Sequence, residues 1–301
     1  MRCLKITKKR FRAGVTAAGL LVAVIAQGRE VTDATGVVVH LVDAPRRIVT
    51  LIPSLGELAA DLAGDDLWKI VGVSESTDYP PALSKVESVG PYAPRFNLER
   101  VVALKPDLVL ASQDGNPKDQ VLHLRELGLP VVVVSTHTLQ EIKDSIRIVS
   151  LAMGNEIRGG KMIAQLETGI EHVRERAKSR PHRKVLLQVG SEPLVVVGKK
   201  TFLHEALVTV GAENIYGDSS LGYPKPSMED VITRNPDVIL ILAMGHETES
   251  AEMMAKKWQQ YPRLSAVREH HIQVIAGDPI VRPTLRLLEG LGLLERGIYG
   301  K

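Results

Sequence analysis

The feature that most constrains the fold is a fourteen-residue phrase that occurs twice, at residues 97–110 (NLERVVALKPDLVL) and 227–240 (SMEDVITRNPDVIL). In both copies a residue that can cap a helix, Asn97 or Ser227, precedes a short helical segment with an acid in its first turn. A proline then ends the helix, and an apolar run follows as a buried strand. Copies about 130 residues apart are too distant for a solenoid, so the repeat indicates two similar α/β lobes with a cleft between them.

Outside this phrase, strand-like and helix-like segments alternate along the chain. The strand-like runs are short and rich in Val, Ile and Leu, which is typical of parallel sheets covered on both faces. We predict buried strands at Arg47–Ile52, Ile70–Val73, Val131–Ser135, Lys184–Val189 and Ile272–Ala276. We predict helices at Leu55–Ala63, Thr201–Val210 and Pro283–Arg296, and a small hairpin at residues 31–42. The alternation predicts an α/β layered fold.

One long helix is predicted between the two copies. Apolar residues recur there at helical spacing, at Ile157, Ile163, Leu166, Ile170 and Val173, with no strong breaker until Pro181. A helix from Asn155 to Lys178 would be about 35 Å long and would join the lobes rigidly. We therefore predict a signal peptide at residues 1–26, an N-terminal lobe at 27–154, the connecting helix at 155–180 and a C-terminal lobe at 181–301.

The first residues resemble an export signal rather than part of the fold. Six Lys and Arg residues without an acid precede an apolar run, Ala13–Ala26, which is short for a membrane span. A single-pass anchor is the alternative, but we expect a cleaved signal peptide and a periplasmic protein. The single cysteine, Cys3, lies inside this segment, so the exported part can form no disulfide.

Removal of the signal also changes the charge of the protein. The formal net charge of the whole chain is +3, and it becomes −3 once the six cations of residues 1–26 are removed. No basic tract remains that would favour nucleic acid. The high overall pI therefore belongs largely to the signal.

Several motifs could suggest an enzyme, but each lacks a feature that its chemistry requires. Gly198-Lys199-Lys200-Thr201 resembles the end of a phosphate loop, but the required upstream glycine is missing. His270 and His271 are adjacent, and neighbouring residues on a strand point to opposite faces, so they make a poor metal pair. Ser54 lacks the flanking glycines of a nucleophile elbow and is expected to cap the following helix. We find no cluster of His and Asp at strand ends, and we expect neither a resident metal nor a cofactor.

The repeat suggests two pairs of functional residues instead. Glu99 and Glu229 occupy the same position in the two phrases. Either glutamate alone could simply stabilise its own helix, whereas a matched pair could bind a symmetric partner, and both readings stay open. Tyr92 and Tyr223 each precede a phrase on a proline-rich loop, where an exposed aromatic ring is a plausible ligand contact.

The sequence resembles the periplasmic substrate-binding proteins of cobalamin, haem and ferric-siderophore ABC importers. The resemblance covers nearly all of the exported part, and the cobalamin-binding members are the most similar. Its residues are the two phrases together with Arg47–Val49 (RIV), Pro53–Leu58 (PSLGEL), Gly72–Ser74 (GVS), Asp78–Pro81 (DYPP) and Gly211–Ile215 (GAENI). It implies two lobes bridged by a rigid helix, a ligand between the lobes, and one glutamate per lobe, Glu99 and Glu229, that docks onto arginines of the permease dimer.

The resemblance also implies a ligand site. Tyr92, Tyr223 and Asp278 match ligand-contacting positions of the cobalamin binders, and we count Ser54 and Arg282 with them. Ser76, Ser112 and Val195 stand where cobalamin binders have aromatic residues. A haem binder would use a tyrosine near Tyr92 as its iron ligand, and a ferric siderophore would need cations such as Arg95 and Arg282.

The sequence therefore predicts a monomeric, non-enzymatic receptor that delivers cobalamin to an ABC permease. A haem or ferric-siderophore receptor of the same class is the alternative. A periplasmic metal-dependent hydrolase with a two-lobed α/β body is a third, weaker hypothesis. A sensor ectodomain is disfavoured because no second apolar span follows the first.

Overall fold

The computed structural model describes residues 28–244 and 248–300. The predicted signal peptide at residues 1–26 lies outside this part. Among the described residues, no helix has the length and apolar character needed to cross a membrane.

The N-terminal lobe is built on a parallel sheet. Its strands are β1 (Arg29–Thr32), β2 (Val38–Leu41), β3 (Ile48–Thr50), β4 (Ile70–Val73), β5 (Leu108–Ser112) and β6 (Val131–Val134). Its α-helices are α1 (Pro53–Ala63), α2 (Leu98–Ala103), α3 (Lys118–Glu126) and α4 (Leu139–Met153), and two 3₁₀ turns cover Gly64–Lys69 and Pro81–Lys85. The sheet has the order β4-β3-β5-β6, all parallel, and β1 pairs with β2 as the predicted hairpin.

A single helix, α5 (Glu156–Ala177), joins the lobes, as the apolar spacing predicted. Its 22 residues extend over about 33 Å. One face buries Met162, Leu166, Ile170 and Val173. It packs on α4 of the N-terminal lobe and on two helices of the C-terminal lobe, which makes it part of both.

The C-terminal lobe has a mixed sheet. Its strands are β7 (Lys184–Ser191), β8 (Leu194–Val196), β9 (Glu213–Asn214), β10 (Val238–Ala243) and β11 (Ile272–Ala276). Its helices are α6 (Phe202–Thr209), α7 (Met228–Arg234), α8 (Thr248–Trp258), α9 (Ser265–Arg268), α10 (Asp278–Val281) and α11 (Leu287–Tyr299). The order is β11-β10-β7-β8 with β9 also beside β7, and β8 alone runs antiparallel.

A continuous hydrophobic core holds the two lobes together. The same cluster of buried side chains contains Leu58 of α1, Ile146 of α4, Leu166 of α5, Leu203 of α6 and Leu291 of α11. Each of these side chains is at most 2 % exposed, and together they come from helices of both lobes. Because the packed layer crosses from one lobe to the other, the lobes meet as one body around the cleft.

Two predictions about the helices need correction. The predicted closing helix at Pro283–Arg296 is wrong at its start, because the chain forms α10 first and begins α11 only at Leu287. Arg282 has extended backbone (φ −95°, ψ 107°), the conformation that a following proline favours, and this separates α10 from α11. Helices α3, α4 and α8 were not predicted from the sequence, and in each of them charged residues alternate with the apolar ones.

Candidate functional site

A cleft lies between the lobes, at the carboxyl ends of the parallel strands, where open α/β sheets bind ligands. It consists of two adjoining cavities of about 650 and 640 Å³. The first, here called the tyrosine chamber, is lined by Tyr92, Ser112, Asp114, Thr136, His137, Lys200, Thr201, Phe202 and Tyr223, among others. The second, the acidic chamber, is lined by Tyr92, Glu75, Ser76, Asp78, Met244, Asp278 and Arg282, among others.

The structure brings the predicted ligand residues together in this cleft. Tyr92 and Ser54 of the N-terminal lobe line both chambers. From the C-terminal lobe, Tyr223 lines the tyrosine chamber, and Asp278 and Arg282 line the acidic chamber. Both lobes therefore contribute side chains to one connected space.

The two tyrosines lie on loops and keep much of their surface available. Tyr92 is 41 % exposed and Tyr223 is 49 % exposed. The Tyr223 loop is held in place by backbone hydrogen bonds, since Gly198 donates to Gly222 (2.7 Å) and Val196 donates to Pro224 (3.1 Å). Desolvation in the cleft and the charge of Asp114 raise the pKa of Tyr223, so its phenol stays protonated and can donate a hydrogen bond.

Arg282 lies in a buried ionic network at the base of the cleft. Its Nη1 is 2.5 Å from Oε1 of Glu57, a side chain of α1 that is almost fully buried. Arg286 Nη1 lies 3.0 Å from the same oxygen, and Thr284 donates to the other carboxylate oxygen (3.2 Å). Burial raises the pKa of Glu57, although both arginines favour its charged form. These contacts join α1 of one lobe to the α10–α11 segment of the other.

Two more carboxylates face Arg282 from the acidic chamber. Its Nη1 lies 2.6 Å from Asp78, and its Nη2 lies 3.4 Å from Asp278. Partial burial works against ionisation of Asp78, but the hydrogen bond from Arg282 and its charge outweigh this and hold the pKa of Asp78 below its ordinary value. Three carboxylates thus surround one guanidinium, so Arg282 presents no uncompensated positive charge to a ligand.

One pairing in the tyrosine chamber, between His137 and Asp114, was not predicted from the sequence. His137 Nε2 lies 2.6 Å from Asp114 Oδ1. The other ring nitrogen is 2.9 Å from the Ser135 hydroxyl and 3.3 Å from Glu141. Asp114 follows β5 and His137 follows β6, and since these strands are neighbours their carboxyl ends meet. That strand adjacency is the signal that could have revealed the pair.

Both ring nitrogens of His137 are engaged within the N-terminal lobe, and the Ser135 hydroxyl donates to Glu141 (2.8 Å). Within residues 28–244 and 248–300, no group of three or more His, Cys, Asp or Glu side chains is arranged to hold a metal ion.

The role expected for Ser54 as a helix cap was wrong. Helix α1 has Ile52 at its N-cap position, and no side chain caps it. Pro53 occupies the first turn, where its missing N–H costs nothing, and Ser54 follows inside the helix. Ser54 is therefore a helix residue that faces the cleft.

The predicted docking glutamates lie outside the cleft, on exposed helix starts. Glu99 is in the first turn of α2 and Glu229 in the first turn of α7. Hydrogen bonds from its own backbone N–H and from Ser227 hold the pKa of Glu229 below its ordinary value. Arg95, considered for a siderophore, lines neither chamber and instead pairs with Asp119 at 3.0 Å.

Comparison with known proteins identifies relatives of this architecture. Residues 48–279 match the family model described as periplasmic binding protein. The vitamin B12-binding protein of Vibrio campbellii is 32 % identical over 82 % of this chain and 86 % of its own length. The corresponding protein of Salmonella typhi is 35 % identical over 69 % of this chain and 76 % of its own length.

Solved structures have the same two-lobed form. The periplasmic vitamin B12 binding protein of Vibrio cholerae superposes with a TM-score of 0.73 at 30 % identity, covering 84 % of this chain and 96 % of that one. The periplasmic haem-binding protein of Roseiflexus sp. RS-1 gives a TM-score of 0.74 at 25 % identity, covering 84 % and 98 %. The matched span and the shared architecture lead to one conclusion: this chain belongs to the periplasmic binding protein family of solute-binding proteins.

Proposed function

We propose that this chain is a periplasmic receptor that binds cobalamin in the cleft and delivers it to an ABC import permease. The observation that carries the proposal is the chemistry of the cleft. Two tyrosines, Tyr92 and Tyr223, line one chamber, and three carboxylates, Glu75, Asp78 and Asp278, line the other. A flat macrocycle with many hydrogen-bond donors at its edge fits such a cleft.

The charge of the acidic chamber favours a corrinoid over haem. A corrin ring carries neutral amide side chains whose N–H groups donate hydrogen bonds to carboxylates, whereas haem carries two negatively charged propionates. The acidic chamber would repel the propionates, because the single arginine among its lining residues, Arg282, is already surrounded by carboxylates. The names of the relatives from Vibrio and Salmonella agree with this choice.

Both chambers also have a suitable size and shape for one large ligand. Volumes of about 650 and 640 Å³ lie within the usual range for ligand pockets, and the shared lining of Ile52, Ser54, Tyr92, Gly115 and Val281 makes them continuous. Tyrosine rings provide stacking area with little loss of side-chain entropy. A buried aromatic contact of this kind is typically worth about 2 kcal/mol or more.

The remaining parts of the proposal concern export and docking. We infer that residues 1–26 are a cleaved signal peptide and that the mature receptor is a monomer in the periplasm. Glu99 and Glu229, one on each lobe, would dock on the two subunits of a permease dimer. A rigid body that carries both contacts fits this role, because each contact raises the effective concentration of the other.

The test is an absorption titration of residues 27–301 with cyanocobalamin and, separately, with haemin. We expect saturable binding of the corrinoid, a loss of about thirtyfold in affinity in Tyr92→Ala, and little change in Tyr92→Phe, because stacking needs no hydroxyl. Trp68→Ala is the matched control, since Trp68 is exposed but lines neither chamber. Haemin binding whose absorption band disappears in Tyr92→Phe would instead establish a haem receptor with a phenolate iron ligand.

A further inference from the structure

The segment Gly198–Thr201 lacks the spacing of a nucleotide-binding loop, but part of it lines the cleft. Lys200 and Thr201 line the tyrosine chamber next to Tyr223. The loop thus adds a cation to a cleft whose lining is otherwise rich in carboxylates.

The loop is held firmly against the one that carries Tyr223. A Cβ atom on Gly198 would lie 2.2 Å from the carbonyl oxygen of Leu221, so only glycine allows this close approach. A Cβ atom on Gly222 would likewise lie 3.1 Å from the carbonyl oxygen of Lys200. The two loops are thus packed backbone to backbone, and Lys200 and Tyr223 form one surface of the chamber.

The backbone that follows Lys200 is also fixed. The Thr201 hydroxyl accepts a hydrogen bond from His204 N–H (3.1 Å), which caps α6, and donates one to the Gly198 carbonyl (3.0 Å). The side chain of Lys200 therefore extends from a well-anchored point at the start of α6. Its reach into the chamber does not depend on a mobile loop.

Among the residues that the structure describes, Lys200 is the cation of the cleft that has no carboxylate within ion-pair distance. The only Lys or Arg side chains lining the two chambers, within the described ranges, are Lys200 and Arg282. Three carboxylates surround Arg282, whereas none of the described carboxylates lies within 4.0 Å of the Lys200 amine. Asp114, the acid of the same chamber, pairs with His137 at 2.6 Å. An uncompensated ammonium in a ligand cavity favours an anionic group on the ligand.

We propose that Lys200 binds the phosphodiester of the nucleotide loop of a complete corrinoid and orients the ligand in the cleft. This inference rests on the proposed function. The corrin amides would face Glu75, Asp78 and Asp278 in the acidic chamber. The single negatively charged group that cobalamin carries outside the corrin ring would then lie at the opposite end, against Lys200. Such a receptor distinguishes cobalamin from cobinamide, which has the same ring and amides but no phosphodiester.

The experiment measures the affinities of cyanocobalamin and dicyanocobinamide for residues 27–301 and for two variants. We expect the unmodified protein to prefer cyanocobalamin about tenfold, and Lys200→Met to lose this preference through weaker cobalamin binding alone. Lys199→Met is the matched control, because Lys199 is exposed and lines neither chamber. Lys200→Arg, which keeps the charge, should retain the preference.

The dependence of affinity on salt is a second measurement. A lysine that served only in packing would not produce such a dependence. Raising NaCl should weaken binding of cyanocobalamin to the unmodified protein and leave dicyanocobinamide nearly unchanged. Equal losses for both corrinoids in Lys200→Met, or no loss, would overturn the phosphodiester assignment while leaving the corrinoid receptor intact. Failure of both corrinoids to bind the unmodified protein would overturn the proposed function itself, and this inference with it.

Discussion

In the N-terminal lobe the carboxylate of Asp107 accepts hydrogen bonds from the backbone N–H groups of Arg46 (2.9 Å) and Arg47 (2.7 Å), and in the C-terminal lobe Asp237 accepts one from Lys184 (2.9 Å). The two aspartates occupy the same place in the repeated phrase. In each lobe this contact fastens the phrase to the beginning of the lobe's first central strand, β3 or β7.

The likeness extends to the end of each repeated helix. Lys105 has φ 46° and Asn235 has φ 44°, left-handed conformations that are uncommon for residues other than glycine. Each of them stands before the proline of its phrase. A residue before proline avoids the right-handed helical region, so the chain leaves the helix at the same point in both lobes.

The lobes differ where the first strand meets its first helix. In the N-terminal lobe β3 ends at Thr50 and α1 begins at Pro53. In the C-terminal lobe β7 continues to the antiparallel strand β8, and the segment that carries Lys200 follows before α6. The shared phrase thus builds the scaffold of both lobes, whereas the added segment in one lobe provides charge to the cleft.

Replacing both repeated glutamates should have the largest effect. Glu99→Ala combined with Glu229→Ala should abolish cobalamin uptake in cells and leave the affinity of the purified receptor nearly unchanged. Each single variant should reduce uptake less than the pair, because the two contacts reinforce each other on one rigid body. Normal uptake by the double variant would show that the two glutamates do not dock on the permease. The two phrases would then be equivalent in folding alone.

Replacing Glu57, which joins the lobes through the buried ionic network, should have the next largest effect. Glu57→Gln leaves Arg282 and Arg286 without the buried carboxylate that now faces both, so the free energy of unfolding should fall by about 3 kcal/mol. Urea unfolding measures this loss. Glu167→Gln is the control, because Glu167 pairs with Lys143 at the surface (3.0 Å), and the loss there should stay below about 1 kcal/mol. Equal losses in the two variants would show that the buried network does not hold the lobes together.

The smallest effects should come from removing the side chains that cap α2 and α7, and the two losses of stability should be equal. The Asn97 side chain accepts from Arg100 N–H (3.0 Å) and Ser227 accepts from Asp230 N–H (3.2 Å). Asn97→Ala and Ser227→Ala should each lower the free energy of unfolding by about 1 kcal/mol, measured in urea. A loss of stability in only one of the two variants would show that the two copies of the phrase contribute unequally to folding.

Local signals in the sequence predicted much of the scaffold. The apolar spacing predicted α5 because helical periodicity repeats within a few residues, and the runs of Val, Ile and Leu predicted the central strands. Helix α3 was missed because its buried face is narrow, with Val121 and Leu124 among polar and charged residues. Helix α4, by contrast, has buried apolar residues at helical spacing, from Ile142 and Ile146 to Val149 and Met153, so its periodicity was a signal that the sequence offered. The break between α10 and α11 was not predicted, and it lies at Arg282, whose backbone is extended before Pro283.

The ligand site could be predicted from the sequence only in part. Family resemblance placed Tyr92, Tyr223 and Asp278, and the structure brings all three into one cleft. The pairing of His137 with Asp114 and the burial of Arg282 with Glu57 were not predicted. Both contacts join residues from different elements, and the Arg282–Glu57 contact joins different lobes, so no local pattern records them.

The sequence alone determined the repeated scaffold, the connecting helix and the positions of the two exposed glutamates, because propensity, capping and periodicity act over a few neighbouring residues. Only the tertiary structure decided which charges in the cleft are compensated. Arg282 and Lys200 are both cations on loops near the same ligand space, yet three carboxylates surround the first, and none in residues 28–244 and 248–300 lies within 4.0 Å of the second. That difference depends on distances across the lobe interface, and Coulomb interactions fall with distance in space rather than with separation along the chain.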